Sequence, residues 1–347
     1  MMKNALPWKP NKGPRTQSGV AMLTVIFMFA IATVIIANII MKLDVDIDRH
    51  SSVMQHAQAW QYALSGEEWA RQTLYEDILA SREVDHRNED WANTSEKFDV
   101  EGGYLEIEIT DMQGLFNLNS LVNTEGIADV PAVNAFKRLL SVVEVEPALV
   151  STLPNLLKDW QDKDHLSGTE RDDYLSLEPS YRPPDDAMAS ISEMRLLKDL
   201  SKKEYQELRQ KLFPFVTVLP RGTALNINTA PPEVIASLKN GVSLVNAKGI
   251  VDNIESYSKG ISIAQFNNMM NWQNQSPPFT LDVKTGYFRV NVRARFLDTY
   301  AFLSSVLKRD PKNGEITLVS RDKGQRFIFY YSQGFVDSEP DIFDIDL

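Results

Sequence analysis

From Val20 to Met41 the chain runs for 22 residues without a charge, and this run limits what the rest can be. At about 1.5 Å per residue, a helix of that length crosses a hydrocarbon core of about 30 Å. Lys3, Lys9, Lys12 and Arg15 precede it, and no acid appears before Asp44. Basic flanks stay on the cytoplasmic side of a bilayer. The expectation is a single-pass anchor with its N-terminus in the cytoplasm and everything after Met41 on the far side. A secretory signal peptide fits poorly, because its apolar core is shorter and ends in small residues. Here the run ends in Lys42-Leu43-Asp44-Val45. An uncleaved anchor and cleavage just after Gly19, leaving Val20 as the first residue, both remain open. A glycine at the cut gives a protease close access to the backbone.

At 347 residues there is room for two soluble domains beyond the anchor. The net charge of −11 argues against nucleic acid as the main partner. No cysteine is present, which excludes disulfides, thiolate metal sites and cysteine nucleophiles. Nor does the sequence carry the usual hydrolase, zinc-protease or P-loop patterns. Its four histidines are His50, His56, His86 and His165, of which His50 and His56 are off the spacing that joins a metal pair on one helix. The expectation is not an enzyme.

Between Pro14 and Pro131 there is no proline. Val53, Met54, Ala57, Trp60, Ala63 and Leu64 repeat at helical spacing. One helix is therefore expected from about Val20 to about Ser81, with Trp60, Tyr62 and Trp69 packing on the domain C-terminal to it. Arg82–Lys97 reads as a polar linker. Tyr104–Thr110 alternates Leu105, Ile107 and Ile109 against Glu106, Glu108 and Thr110, as a half-buried strand does. Leu115–Leu118 is expected to pair back on it. The same alternation returns in Tyr287–Phe296, followed by strands at Thr299–Leu307, Glu315–Val319 and Arg326–Tyr331. Asn313-Gly314 marks a hairpin, and the facing Glu and Arg rows are expected to pair across the sheet. Helical segments lie between: Val133–Val145, Ala148–Trp160, Ile191–Leu197, Lys202–Phe213, Pro232–Leu238 and Val245–Ser256. Ser190-Ile191-Ser192-Glu193 reads as a capping start. The fold class is α+β, a long N-terminal helix and an antiparallel sheet with a large all-α domain inserted. Asp337–Leu347 holds five acids and no base and reads as a solvated tail.

Gly19-Val20-Ala21-Met22-Leu23-Thr24, Asp111-Met112-Gln113-Gly114-Leu115-Phe116-Asn117-Leu118-Asn119, Asp159-Trp160-Gln161-Asp162-Lys163-Asp164, Gly168-Thr169-Glu170 to Tyr174, and Leu225-Asn226-Ile227-Asn228-Thr229-Ala230 occur in that order. In these segments the chain resembles the minor pseudopilin K family of the type II (general) secretion pathway. The resemblance implies a pilin-like fold with a helical insert. It implies a leader at 1–19, a transmembrane segment at 20–41 and a periplasmic helix at 42–82. The pilin-like part covers 83–118 and 286–335, the inserted helical domain 119–285, and the acidic tail 336–347. Prepilin peptidase is expected to cut between Gly19 and Val20, and the new amine to be methylated. Most pilin-like subunits carry Glu five places after the cut, where it meets the N-terminal amine of a neighbour. Thr24 stands there, and a subunit without that charge is implied to start and cap the periplasmic pseudopilus in the inner membrane. Implied partners are the I and J pseudopilins, with secreted cargo as a further contact.

Asp159, Asp162, Asp164, Glu170, Asp172 and Asp173 fall within fifteen residues. Calcium takes six to eight oxygens, and close carboxylates on a loop supply them. The residues alone equally suit a solvated acidic loop, and EF-hand spacing is not met. The resemblance favours calcium here, as a structural ion. His165 is expected at the surface and Trp160 in the core.

Other readings are a minor pilin of a type IV pilus and a membrane-tethered DNA receptor. The second rests on Leu225–Ala230 followed by Pro231-Pro232-Glu233, which resembles the start of a helix-hairpin-helix unit. The turn Asn240-Gly241-Val242-Ser243 lacks the second glycine, and Arg221–Thr280 holds four bases against three acids, too few for a phosphate-binding patch. The motif reads as structural, with Asn228 or Thr229 capping the next helix.

Overall fold

The computed structural model describes residues 18–80, 83–93, 95–162 and 169–323. The leader, the strand expected at Arg326–Tyr331 and the acidic tail lie outside them. The chain divides into two compact units, 1–58 and 59–347. Helix α1, Ser18–Ala80, contributes to both.

Within the first unit, residues from Gly19 onward are almost wholly exposed. The helix has no core of its own there and suits a lipid environment by length and composition. Its few polar side chains bond back to its own carbonyls. Thr24 Oγ1 donates to Ala21 O at 2.8 Å, Thr33 Oγ1 to Phe29 O at 2.8 Å, and Asn38 Nδ2 to Val34 O at 2.9 Å. A hydroxyl or amide satisfied in this way loses little in hydrocarbon.

The second unit holds a five-stranded antiparallel sheet. Its strands, in the order they lie side by side, are β1 Ser95–Val100, β2 Gly103–Asp111, β7 Tyr287–Phe296, β8 Thr299–Arg309 and β9 Ile316–Asp322. Ile107, Val292 and Leu303 lie in one row across the sheet and are fully buried. They face the C-terminal part of α1, where Ala59, Ala63, Ala70 and Leu74 have no exposed surface. Small residues at steps of three and four bring the helix axis close to the sheet. Gly66 marks the closest approach, since a Cβ there would lie 2.7 Å from Val292 Cγ1.

On the other face Glu106 pairs with Arg293, and Glu108 accepts from Asn291 at 3.0 Å, as the alternation predicts. Acids face inward as well. Glu67 on α1 accepts from Ser305, Arg71 and Arg321. Burial pushes its pKa up, but these donors outweigh burial and hold it below the ordinary value.

Residues between β2 and β7 form the helical block: α2 Val130–Val142, α3 Pro147–Gln161, α4 Thr169–Leu175, α5 Lys202–Lys211, α6 Pro232–Leu238, α7 Leu244–Glu255 and α8 Ile263–Met270. A separate apolar core built on Phe116, Phe136, Leu139, Leu153, Ile235 and Phe266 holds it together. Side chains fix the helix starts. Asp129 caps α2 through Ala132 N at 3.0 Å, and Ser201 and Ser262 form capping boxes with Glu204 and Gln265.

Several expectations change. The stretch Arg82–Lys97 is not only a linker: it contains a short 3₁₀ turn at Asp90–Asn93 and the start of β1. Leu115–Leu118 does not pair back on β2. Instead β3, Phe116–Asn117, runs parallel to β4, Val216–Thr217, and β5, Leu225–Asn226, runs parallel to β6, Leu281–Asp282. The first pair ties the start of the block to its middle, and the second ties the middle to its end. Ile191–Leu196 is a 3₁₀ segment with the expected capping box. Asp172 and Asp173 stand on helix α4, not on a loop. Helix α8 carries a readable start, Ser262 with Gln265 three places on, that periodicity alone passes over.

Candidate functional site

Three places answer to the residues singled out by sequence. At the start of α1, Gly19 and Val20 lie in the first turns of the helix, and a Cβ on Gly19 would meet nothing within 4 Å. Thr24 follows one turn later, uncharged and internally satisfied.

The acidic segment is divided. Asp162 closes α3, its N–H donating to Lys158 O at 2.8 Å, and is buried. Asp159 pairs with Lys158 at 3.1 Å. Asp172 is exposed, while Asp173 holds Lys198 Nζ at 2.6 Å, a bond that raises the Lys198 pKa. Asp164 and the side chain of Glu170 lie outside the described residues, as does His165. Trp160 is buried, as expected, with its Nε1 donating to Glu193 at 3.0 Å. The donor types suit a hard cation. Gln161 is fully buried beside Asp162, and its Oε1 meets no hydrogen-bond donor among the described residues. Among the described residues, however, Asp159, Asp162, Asp172 and Asp173 are not gathered as a metal-sized group.

The motifs Asp111–Asn119 and Leu225–Ala230 meet at the seam between sheet and helical block. Asp111 is buried and accepts four hydrogen bonds. Gln113 N donates at 2.7 Å, Asn226 Nδ2 at 2.9 Å, Thr229 Oγ1 at 2.6 Å, and Thr285 Oγ1 is the fourth donor. Burial still pushes its pKa up, against these donors.

Around Asp111 the asparagines behave like pieces of backbone. Asn117 takes both the N–H and the C=O of Leu219, at 3.0 and 3.2 Å. Asn119 does the same to Met188, at 2.8 and 2.9 Å, and Asn228 to Ile261, at 2.8 and 3.1 Å. A primary amide offers the same donor–acceptor pair as a peptide, so each works as a one-residue strand where no strand fits. Asn228 and Thr229 therefore do not cap α6. Pro231 stands at that cap without a side-chain bond, and the two side chains are engaged with Ile261 and Asp111. Gly114 lets the seam close, because a Cβ there would lie 2.9 Å from the Thr229 carbonyl carbon.

Sequence reasoning misses the lower half of this seam. Arg309 at the end of β8 is buried and pairs with Asp77 on α1 at 2.7 Å and with Asp85. Asp85 also accepts from Thr285 N at 2.7 Å. Arg87 reaches Thr229 O at 2.7 Å and Glu255 at 3.0 Å. No local pattern announces such contacts, since the partners are more than 100 positions apart. At the turn that resembles a DNA-binding hairpin, Lys239 Nζ donates to Met270 O and Asn271 O at 3.0 and 2.7 Å. Its charge serves carbonyls within the fold.

Comparison with known proteins agrees with this architecture. Residues 114–221 match the family model described as type II secretion system (T2SS), protein K. Type II secretion system protein K of Pseudomonas aeruginosa is 33% identical over 323 residues, covering 90% of this chain and 94% of that protein. The Aeromonas hydrophila protein of the same name is 30% identical over 329 residues, covering 89% and 98%. A chain in the crystal structure of the GspK-GspI-GspJ complex from the enterotoxigenic Escherichia coli Type 2 secretion system shares the fold at a TM-score of 0.67. It is 22% identical and covers 80% of this chain and 100% of that one. On the strength of the full-length relatives, the chain belongs to the type II secretion system protein K family.

Proposed function

We propose that this chain is a minor pseudopilin that starts and caps the periplasmic pseudopilus of a type II secretion system. It acts as an assembly component, not as an enzyme. The observation that carries the reading is Thr24, an uncharged, self-bonded residue near the start of a span that carries no charge. A subunit with a carboxylate there needs a neighbour's amine to offset a penalty of a few kcal/mol in lipid. Thr24 makes no such demand and needs no earlier subunit. Under this reading the leader is removed between Gly19 and Val20 by prepilin peptidase and the new amine is methylated. The chain sits in the inner membrane with its N-terminus in the cytoplasm. Its partners are the I and J pseudopilins, which share the crystallised complex with the structural relative.

The acidic segment is proposed as a structural calcium site, with Asp159 and Asp162 before residues 163–168, Asp164 within them, and Glu170, Asp172 and Asp173 after them. Support comes from the all-oxygen donor set, buried Asp162 and the Gln161 amide oxygen, which meets no donor among the described residues. A bound ion would hold together a stretch that has no disulfide to do so.

The absence of cysteine makes the tip role directly testable. A Val25→Cys variant places the chain's single thiol on the exposed face of the span. In secreting cells, oxidation is expected to link it to cysteine-bearing I or J subunits and to give no homodimer. A dominant homodimer would place several copies side by side and sink the tip role. Mass spectrometry of the same sample is expected to find Val20 at the N-terminus. A chain still starting at Met1 or Met2 would overturn the processing.

A further inference from the structure

Asp77, Asp85 and Glu89 bring one carboxylate oxygen each to within 4.8 Å of one another. They lie where α1, the 83–92 segment and the end of β8 meet, beside a cleft of about 760 Å³. Arg309 donates to Asp77 and Asp85. Glu89 Oε2 is held by two neutral donors, His86 N at 3.0 Å and Trp91 Nε1 at 2.8 Å. Its Oε1 lies 3.8 Å from His86 Nε2. Burial keeps that imidazole's pKa below its ordinary value, opposed by Asp85, so at neutral pH it brings no charge. Glu76, Glu83 and Asp90 also line the cleft, against Lys259. Among the described residues, one guanidinium and one amine thus stand among six carboxylates.

We propose that Asp77, Asp85 and Glu89, clamped by Arg309, form a proton-operated latch: a proton held in the cluster fastens α1 to the 83–92 segment, and its loss loosens that joint. The segment is mechanically placed for this. Asp85 N donates to Val283 O at 2.8 Å, Asn226 Nδ2 to Asp85 O at 3.0 Å, and Asn88 Nδ2 to Glu255 O at 3.1 Å. A shift in 83–92 therefore reaches the helical block. Glu89 is the group that carries the proton near neutrality. Burial, with Asp77 and Asp85 adding to it, pushes its pKa up to about 7. Asp77 is raised as well, by burial first and then by Asp85 and Asp90, with Arg309 opposing. Because the folded pKa exceeds the ordinary value, the group favours folding most at low pH. That contribution is lost as pH rises from the ordinary carboxylate range through about 7.

Full-length protein in detergent, compared with Glu89→Gln, tests it. The wild-type melting midpoint is expected to fall by several degrees between pH 6 and pH 8.5, and the variant to lose most of that slope. Parallel curves would overturn the latch. Should the variant fail to fold, the Trp91 indole N–H resonance of the wild type, assigned with Trp91→Phe, reports Glu89 directly. A shift with a midpoint between pH 6 and 8 supports the proposal; a resonance fixed across that window overturns it. Exchange of the Asp85 amide, corrected for its intrinsic pH dependence, is expected to rise about tenfold between pH 6 and 8.5 if the joint opens, about 1.4 kcal/mol. An unchanged rate would mean that the proton moves without loosening anything, which overturns the latch as well.

Discussion

A few short polar side chains carry the seam of this protein. Asp111 serves four donors from three separate stretches of chain. Removing it strands all four in a buried place, and each unmet group carries a penalty of about 1 kcal/mol or more. Asp111→Ala is expected to lose about 3–4 kcal/mol in a urea melt. Asp111→Asn keeps two acceptor bonds but turns an amine toward Asn226, and about half that loss is expected. Equal, small losses in both would show that the donors find water instead. The motif residues are visible in the sequence, but their partners are not. Asn117 and Leu219 are 102 positions apart, and Asn119 and Met188 are 69 apart. An asparagine that imitates backbone has the same sequence signature as one that caps a helix. Asn228 reads as the second and is the first.

Among the elements, legibility tracks periodicity. α1, β2, β7 and β8 repeat their apolar residues over many turns or alternations, and they lie where those repeats predict. The short elements α4 and α8 carry too few residues for a period to show. The two parallel strand pairs span two residues each and depend wholly on distant partners. Two glycines separate the local from the tertiary contribution. Gly66 lies against Val292 with no room for a Cβ, so Gly66→Leu is expected to lose about 2 kcal/mol or more through overpacking. Gly249 lies within α7, where a Cβ meets nothing within 4 Å. Gly249→Ala is therefore expected to gain about 0.5–1 kcal/mol from helix propensity alone. Chemical melts of the two variants should move in opposite directions.

For the molecule as a whole, fold class is readable because order along the chain, strand then helices then strands, leaves few architectures open. An ion that binds only the folded form stabilises all of it, as calcium would at the acidic segment. At a hundredfold excess over its dissociation constant, the gain is about 2.7 kcal/mol, or about 5–10 °C in a domain of this size. Melting in calcium against melting in chelator is expected to show that difference, and Asp162→Asn to erase it. Equal midpoints would leave an ordinary acidic segment.

β2 and β7 are neighbours over nine residue pairs, from Gly103↔Phe296 to Asp111↔Phe288, yet the whole helical block lies between them. Zipping such a pair from an unfolded chain closes a loop of well over a hundred residues. Once the block has folded, Gln113 and Gly286 are held together at 2.6 Å, and the loop shrinks in effect to a tight turn. The difference in closure entropy is about 3 kcal/mol. The sheet's central pairing therefore waits for a domain to finish, and during synthesis β2 stands with one edge unpaired until β7 arrives. An unpaired edge invites the wrong strand. The rate at which the helical block folds thus sets how long the growing chain stays open to aggregation.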